Sequence, residues 1–294
     1  MSNDQDMTAS SGPLLARLTN SNLALVTRHG KEKLLAPLLE PALGCHLLHI
    51  DSVDTDALGT FTREISRRGS QREAARQKAA LGIERSGSAF ALASEGAFVQ
   101  DPWSGILPWN IEMVLLLDAK TGQEIIGMAQ GPATCFQQVV RDWPSLQRFA
   151  AQAEFPSHHL ALRPDHAEHP AVVKGIDSLA ALRAAFAAAL TQSRQQQVFV
   201  ESDLRAHCNP SRQQIIVKAA ENLIARLQSI CPACGAVDFW ISGTVKGKPC
   251  HACGSATSEA RAERWRCPCC QHEALRDRPL LPLADPANCE RCNP

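Results

Sequence analysis

Short apolar runs alternate with helical patterns along residues 21–228 of the chain. Runs such as residues 23–27 and 111–117 are typical of buried strands, and stretches such as residues 31–43 and 210–227 are typical of helices. The other predicted strands are residues 45–50, 89–93, 124–128, 159–162 and 197–200, and the other predicted helices are residues 70–81, 144–152 and 179–190. This alternation predicts an α/β domain with a mixed, largely parallel sheet flanked by helices.

The first twenty residues are polar and rich in serine, and we expect residues 1–20 to be disordered. They lack the basic segment followed by an apolar segment that marks a secretory signal. The chain also has no apolar run of the ~18 residues that a membrane helix needs. We therefore expect a cytoplasmic protein with no membrane partner.

Eight of the twelve cysteines form four Cys-x-x-Cys pairs within residues 229–294. The pairs are Cys231/Cys234, Cys250/Cys253, Cys267/Cys270 and Cys289/Cys292. The first two pairs are separated by 15 residues and the last two by 18, which is the spacing of paired zinc knuckles. Four thiolates close a tetrahedral structural site, so the spacing predicts a zinc-ribbon domain with two zinc ions.

Four knuckles can combine in two ways, as successive sites or as a cross-braced arrangement in which alternate knuckles share a metal ion. Residues 237–248 resemble a strand, a glycine turn and a second short strand, which is what one ribbon needs between its knuckles. This pattern favours successive pairing. Cys269, His251 and His272 lie close to the knuckles in sequence and remain alternative ligands.

The charge balance weighs against non-specific DNA binding. The whole chain has thirty basic and thirty acidic side chains, and residues 231–294 have eight and seven. Two zinc ions with four thiolates each would bring the charge of that segment to about minus three, whereas DNA binding depends on an excess of lysine and arginine. A partner bound through the ribbons is therefore more naturally a protein than an RNA.

Polar residues follow several predicted strands, and in open α/β sheets ligands bind at the carboxyl ends of strands. Carboxylates that suit Mg²⁺ are Asp54, Asp56, Glu64 and Glu95. Cations that suit phosphate groups are Lys31, Lys78, Arg205 and Arg212. Asn209 and Pro210 form a typical helix start, with Asn209 as the N-cap.

The order of these motifs resembles that of the pyrophosphatases that hydrolyse inosine and xanthosine triphosphates. The motifs are a Thr27-x-His29-x-Lys31 loop, Glu64, a helix that contains Lys78-Ala79, and a Ser94-Glu95-Gly96 turn. The resemblance covers residues 23–98, and it implies catalytic roles for Glu64, Glu95, Lys31 and Lys78. Thr27 and His29 of the same loop would then contact the substrate. Further substrate-binding candidates follow the predicted strand at residues 197–200, and they are Arg205, Asn209 and Arg212.

A second resemblance covers more of the chain. It is carried by residues 54–61, 93–98 and 205–212 together with the terminal Cys-Pro-x-Cys knuckles. In these segments the chain is similar to a bacterial family known only as a domain of unknown function, which implies no activity.

Two functions follow as hypotheses. The first is a magnesium-dependent hydrolase of nucleotides or phosphate esters, with structural zinc ribbons. The second is a non-catalytic scaffold whose ribbons bind a protein or RNA partner.

Overall fold

The computed structural model describes residues 14–51 and 69–294. The chain divides into two compact units, Leu18–Ile224 and Ala225–Pro294, and the second also includes the described residues 14–17. We predicted a division at residue 228, and the structure has it at residue 224. Residues 14–18 form a short helix, α1 (Leu14–Leu18), so the expected disorder is wrong for this part of the first twenty residues.

The first unit begins with a five-stranded sheet. Its elements are β1 (Asn22–Val26), α2 (Glu32–Leu43), β2 (His46–Ile50), α3 (Gln71–Ser86), β3 (Phe90–Gln100), β4 (Pro108–Asp118) and β5 (Glu124–Pro132). The strand order is β2-β1-β3-β4-β5, with β2, β1 and β3 parallel and β4 and β5 antiparallel. The strands β3, β4 and β5 follow each other through short connections, which join only antiparallel neighbours.

A second sheet follows in the same unit. Its elements are β6 (Gln137–Val140), α4 (Trp143–Gln152), β7 (Leu160–Pro164), β8 (Val173–Ile176), α5 (Leu179–Gln192) and β9 (Val198–Ser202). The order is β6-β9-β7-β8, and every pair is antiparallel. The prediction of a mixed α/β fold is confirmed, whereas the prediction of a largely parallel sheet is wrong.

Small side chains let α3 pack closely on the five-stranded sheet. Ala75 and Ala79 of α3 are fully buried against Ala24, Ala91 and Ala93 of the strands. The helix starts with a capping box, in which Ser70 and Glu73 exchange hydrogen bonds between side chain and backbone. The predicted helix at residues 70–81 is therefore present, and it continues to Ser86.

The long helix α6 (Pro210–Gln228) lies directly on β5. A Cβ atom at Gly127 would come within 2.3 Å of the carbonyl oxygen of Ala219 and 2.4 Å of the nitrogen of Leu223. Only glycine allows this close approach of helix and strand. The approach fixes α6 against the sheet.

The cysteine-rich unit contains a small antiparallel sheet. Its strands are β10 (Trp240–Lys246), β11 (Ala260–Arg266) and β12 (Glu273–Asp277), in the order β10-β11-β12. We predicted two strands between Cys234 and Cys250, but β10 runs without a turn through Gly243 and pairs with β11 beyond the second knuckle. Over the described residues, no helix is long and apolar enough to cross a membrane.

Candidate functional site

Five charged side chains collect near the end of β1, and we call them the strand-end cluster. They are Lys31, Lys78, Glu95, Glu112 and Arg212. The strand β1 pairs with β3 as far as Leu25 and Leu92, so Glu95 lies beyond the carboxyl end of β1. The cluster thus occupies the edge of the parallel strands where the sequence predicts a ligand site.

Lys31 reaches the cluster from the loop that follows β1. Gly30 has a positive φ of 72°, which lets the chain turn from the strand into α2. The side chain of Lys31 is buried, and its ammonium group donates a hydrogen bond to the carbonyl oxygen of Ser94 on β3. The loop therefore directs a cation into the interior beside Glu95.

Burial lowers the pKa of Lys31 to about 7, because the ammonium group loses its hydration. The charge of Arg212 lowers this pKa further, and Lys78 acts in the same direction. Glu112 and Glu95 oppose them. All four charges thus act on the same ammonium group, and three cations face two carboxylates within the described part of the cluster.

Glu95 and Lys78 meet on the face of the sheet that α3 covers. Side chains alternate along β3, so Glu95 shares this face with Ala91 and Ala93. Its carboxylate forms a buried ion pair with the ammonium group of Lys78. The amide of Gln71, in the first turn of α3, donates to the carbonyl oxygens of Glu95 and Ile111 at 2.7 and 3.2 Å, which fixes the helix to β3 and β4.

Glu112 and Arg212 meet on the opposite face. Arg212 Nε lies 2.7 Å from Glu112 Oε1, and Arg212 Nη1 donates to the carbonyl oxygen of Leu204 at 2.5 Å. Asn110 Nδ2 also donates to Glu112 Oε1, at 3.0 Å. Gly96 lies opposite Glu112 in the β3–β4 ladder, and a Cβ atom there would be 2.0 Å from Glu112 Oε1 and 2.6 Å from Arg212 Nη2. The absence of a side chain at position 96 makes room for this ion pair.

Thr27 and His29 lie at the start of the same loop. Thr27 Oγ1 accepts a hydrogen bond from the backbone N–H of His29 at 3.3 Å. The carbonyl oxygen of Thr27 lies 2.8 Å from His49 Nε2. The imidazole of His29 stacks on that of His207, with ring centroids 5.5 Å apart. Burial lowers the pKa of His207, and the charge of Arg205 adds to this effect. The sequence predicts no role for His207, and the fold places its ring against His29 of the predicted loop.

Arg205 and Asn209 have structural partners. The guanidinium of Arg205 forms a two-pronged contact with the carboxylate of Asp203, with distances of 2.6 to 3.1 Å. Asn209 Oδ1 accepts from the backbone N–H of Arg212 at 2.9 Å, which confirms the predicted helix cap, and Asn209 Nδ2 donates to the carbonyl oxygen of Thr134. The cap fixes the first turn of α6, which carries Arg212.

Sequence reasoning missed Glu112. A signal was present, because this residue is the one charge inside the apolar run of residues 111–117. A carboxylate that is fully buried in a strand needs a cation or a set of donors. The complementary signal was Gly96 within the strand β3, since a strand glycine often marks close approach of another group.

The remaining acidic candidates, Asp54, Asp56 and Glu64, lie outside the described residues. Within residues 14–51 and 69–294, two groups bring together three or more side chains that could hold a metal ion, and both consist of cysteines. The first cysteine site contains Cys231, Cys234, Cys267 and Cys270. The second contains Cys250, Cys253, Cys289 and Cys292.

Both cysteine sites have the geometry of a four-thiolate metal site. The four sulfur atoms of each group lie within 4.8 Å of one another, and the closest pairs are 3.7 Å apart. Four sulfurs at ~2.3 Å from a central zinc ion would be separated by about 3.8 Å. The geometry is therefore compatible with zinc. Cys269, His251 and His272 belong to neither group.

The favoured successive pairing of knuckles is wrong, and the strands explain why. The first knuckle precedes β10 and the third follows β11, and the antiparallel register sets Trp240 at the start of β10 opposite Arg266 at the end of β11. These two knuckles consequently share a site. The second knuckle follows β10 at the other end of the hairpin, where Cys250 pairs in a β-bridge with Ala284, just before the fourth knuckle.

Local turns hold the cysteines in position. The backbone N–H groups of Gly235 and Gly254 donate to the carbonyl oxygens of Cys231 and Cys250, both at 2.9 Å. Both glycines have a positive φ, of 74° and 72°, which the turn after the second cysteine requires. Phe239 and Trp265 cover the first site, where they pack with Cys231 and Cys267.

The chain is similar to known proteins at the level of a family. No curated protein matches the chain. The sequence profile of a family described as "Domain of unknown function (DUF6671)" matches residues 78–294, which is more than half of the chain and includes all four knuckles. No match supports the pyrophosphatase resemblance of residues 23–98. The chain belongs to the DUF6671 family.

Proposed function

We propose that the strand-end cluster binds the phosphate group of a nucleotide or phosphate ester and that the chain hydrolyses this substrate with Mg²⁺. The observation that carries the proposal is Lys31, a buried ammonium group in a cluster where the described cations outnumber the carboxylates. Burying a cation costs free energy unless an anion compensates it. A bound phosphate would balance the excess positive charge of the described residues.

In this proposal the phosphate group lies among three cations. Lys31, Lys78 and Arg212 would hold the phosphate oxygens, and the loop with Thr27 and His29 would contact the rest of the substrate. Arg205 and Asn209 contribute less in this arrangement, because Arg205 pairs with Asp203 outside the strand-end cluster and Asn209 caps α6. They position the binding groups.

The metal would have oxygen ligands. Glu95 is the predicted magnesium ligand within the described residues, and Lys78 neutralises it. Asp54, Asp56 and Glu64 complete the proposed set on sequence grounds alone. Magnesium bound there would polarise the phosphoryl group and activate water. The chain itself would hold the phosphate and keep Lys31 protonated beside it.

A turnover screen tests the proposal. Nucleoside triphosphates and phosphate esters are incubated with the purified chain and Mg²⁺ or Mn²⁺, and the release of phosphate and pyrophosphate is measured. Lys31→Met should lower turnover at least tenfold, and Glu95→Gln should abolish it while the fold is retained. Lys33→Met, which changes an exposed lysine in the first turn of α2, two residues after Lys31, is the matched control. Turnover that Lys31→Met leaves unchanged would refute the assignment.

We propose that each cysteine site holds one structural zinc ion, because four thiolates leave no position open for a substrate.

The second candidate function is the non-catalytic scaffold. It is favoured by the exposed leucines of the cysteine-rich unit, Leu275, Leu280 and Leu281. With two zinc ions bound, residues 231–294 have a net charge of about minus three, which fits a protein partner better than RNA. A chain with both metal ions and no turnover in any arm of the screen would favour this candidate.

A further inference from the structure

The connection between β3 and β4 exposes large apolar side chains. We call residues 101–107 the hairpin tip. Trp103 is 78% exposed, Ile106 80% and Leu107 56%. Single exposed apolar residues are common, but three within five positions form a patch of the kind found at binding sites.

The hairpin tip has a fixed backbone. The buried carboxylate of Asp101 accepts hydrogen bonds from the backbone N–H groups of Trp103, Ser104, Ile106 and Leu107, at 2.7 to 3.1 Å. The hydrogen bond from the hydroxyl of Ser104, together with the backbone bonds from Ser104, Leu107 and Ile106, lowers the pKa of Asp101. A backbone that is already ordered loses little entropy when a partner binds.

A cavity of about 300 Å³ lies beside the tip. Leu107, Pro108 and Phe136 contribute apolar walls. The one charged residue in its lining is Glu154, whose carboxylate accepts a hydrogen bond from Thr134 Oγ1 at 2.9 Å. The site therefore combines an apolar cavity, an apolar patch and a single exposed negative charge.

We propose that the hairpin tip and this cavity bind a segment of another protein in which an apolar side chain stands next to a lysine or arginine. The apolar side chain would fill the cavity and contact Trp103 and Ile106, and the cation would pair with Glu154. Buried aromatic and aliphatic anchors supply most of the binding free energy at protein interfaces.

The charges of the hairpin tip and of the cavity lining favour this partner over two other occupants, an anionic membrane and a second copy of the chain. Residues 99–109 contain no lysine or arginine, whereas attachment to an anionic membrane depends on basic residues. In a two-fold dimer the same patch of both copies meets. Neither the tip nor the cavity lining offers a cation to face Glu154 of a second copy.

A displayed library of random peptides is the probe, selected on the immobilised full-length chain. We expect enrichment of peptides in which an apolar residue adjoins a basic one. Their affinity should fall at least tenfold in Trp103→Ala and in Ile106→Ser, and Glu154→Gln should weaken them several-fold. Leu179→Ser, which changes an exposed leucine of α5 outside the patch, is the control and should leave affinity unchanged. Equal melting temperatures and metal contents show that the variants are folded.

Three results would overturn the proposal. One is a selection that gives no peptide whose binding depends on Trp103 or Ile106. Another is binding that does not respond to Glu154→Gln. The third is a different occupant, seen as self-association in sedimentation that Ile106→Ser abolishes, or as flotation with phosphatidylcholine vesicles that Trp103→Ala abolishes.

Discussion

Single residues set the electrostatics of the strand-end cluster. Lys31 has a low pKa because its ammonium group is buried beside Arg212 and Lys78, and two carboxylates only partly offset this cost. A group that is half deprotonated near pH 7 gains a proton when an anion binds beside it. Anion binding at this site should therefore depend on pH.

Sulfate is a suitable probe because it does not titrate between pH 6 and 9. Binding favours the protonated form of Lys31, so the affinity for sulfate should decrease as pH rises above about 7 and should approach a tenfold loss per pH unit. Isothermal titration calorimetry at several pH values measures this. In Lys31→Met the binding should be weaker and independent of pH over the same range. A wild-type affinity that stays constant from pH 6 to 9 would argue against a titrating Lys31 at the site.

Gly96 is the second residue whose change has a defined effect. In Gly96→Ala the new methyl group would overlap Glu112 Oε1 and Arg212 Nη2 and would separate the buried ion pair. Breaking such a pair costs ~3–5 kcal/mol, so we expect the free energy of unfolding of the first unit to fall by about this amount in denaturant titrations. Gly243→Ala, in the cysteine-rich unit, has open space for the methyl group and should change the free energy of unfolding of either unit by less than about 1 kcal/mol. A stable Gly96→Ala variant would mean that the pair can rearrange.

Part of the cluster was predictable from sequence. Lys31, Lys78, Glu95 and Arg212 could be named because they follow predicted strands or lie on a predicted helix, and the fold brings all four together. Glu112 could not be found in this way, since it lies within a strand and not after one. The ion pair of Arg205 with Asp203 could not be predicted either. Contacts within a loop depend on backbone geometry, which the hydrophobic periodicity of a sequence does not indicate.

At the scale of elements, the length of the connection between two strands determined whether their relative direction could be predicted from the sequence. The helices of the first unit were predictable because caps and small residues mark them, as Ser70 and Glu73 do for α3. The antiparallel direction of β5 could be predicted, because the short turn at residues 119–122 indicates a hairpin with β4. The direction of β4 follows from its short connection to β3. The short edge strands β6 and β8 have too few buried residues to produce a pattern. In the cysteine-rich unit, β10 pairs with a strand beyond the second knuckle, and spacing alone cannot distinguish that from a local hairpin.

Double cysteine variants test the cross-braced arrangement. Cys231→Ser with Cys250→Ser damages both sites and should leave almost no bound zinc, whereas successive pairing would leave about one ion. Cys231→Ser with Cys267→Ser damages the first site alone and should leave about one ion. Cys269→Ser, a change of an exposed thiol outside both sites, should leave two ions. Elemental analysis of the purified variants gives these values directly.

At the scale of the whole molecule, the two units have separate sources of stability. Two hydrophobic clusters of described residues in the first unit contain no cysteine, one around Leu162 and Phe149 and one around Ala91 and Leu115. A hydrophobic cluster of the second unit includes Cys231 and Cys267, two of the proposed metal ligands. Its fold should depend on metal far more than that of the first unit.

Chelation should therefore unfold one unit and spare the other. Structural zinc contributes ~10–16 kcal/mol of apparent binding free energy, which is more than a small unit gains from its own core. After removal of zinc, hydrogen exchange should show loss of protection in β10, β11 and β12 and retained protection in β3 and β4. Added Zn²⁺ should restore the protection. Loss of protection in both units at once would mean that they unfold together.

The interleaved cysteine pairs also fix the order in which the sites can form on the ribosome. The first site can close once Cys270 has emerged, and at that moment Cys250 and Cys253 lie in the enclosed loop without their partners. They must wait until Cys289 and Cys292 have been synthesised. A nascent chain that stalls in this interval would carry one filled site and an exposed pair of thiols, and would be most open to oxidation or to capture of the wrong metal at that stage.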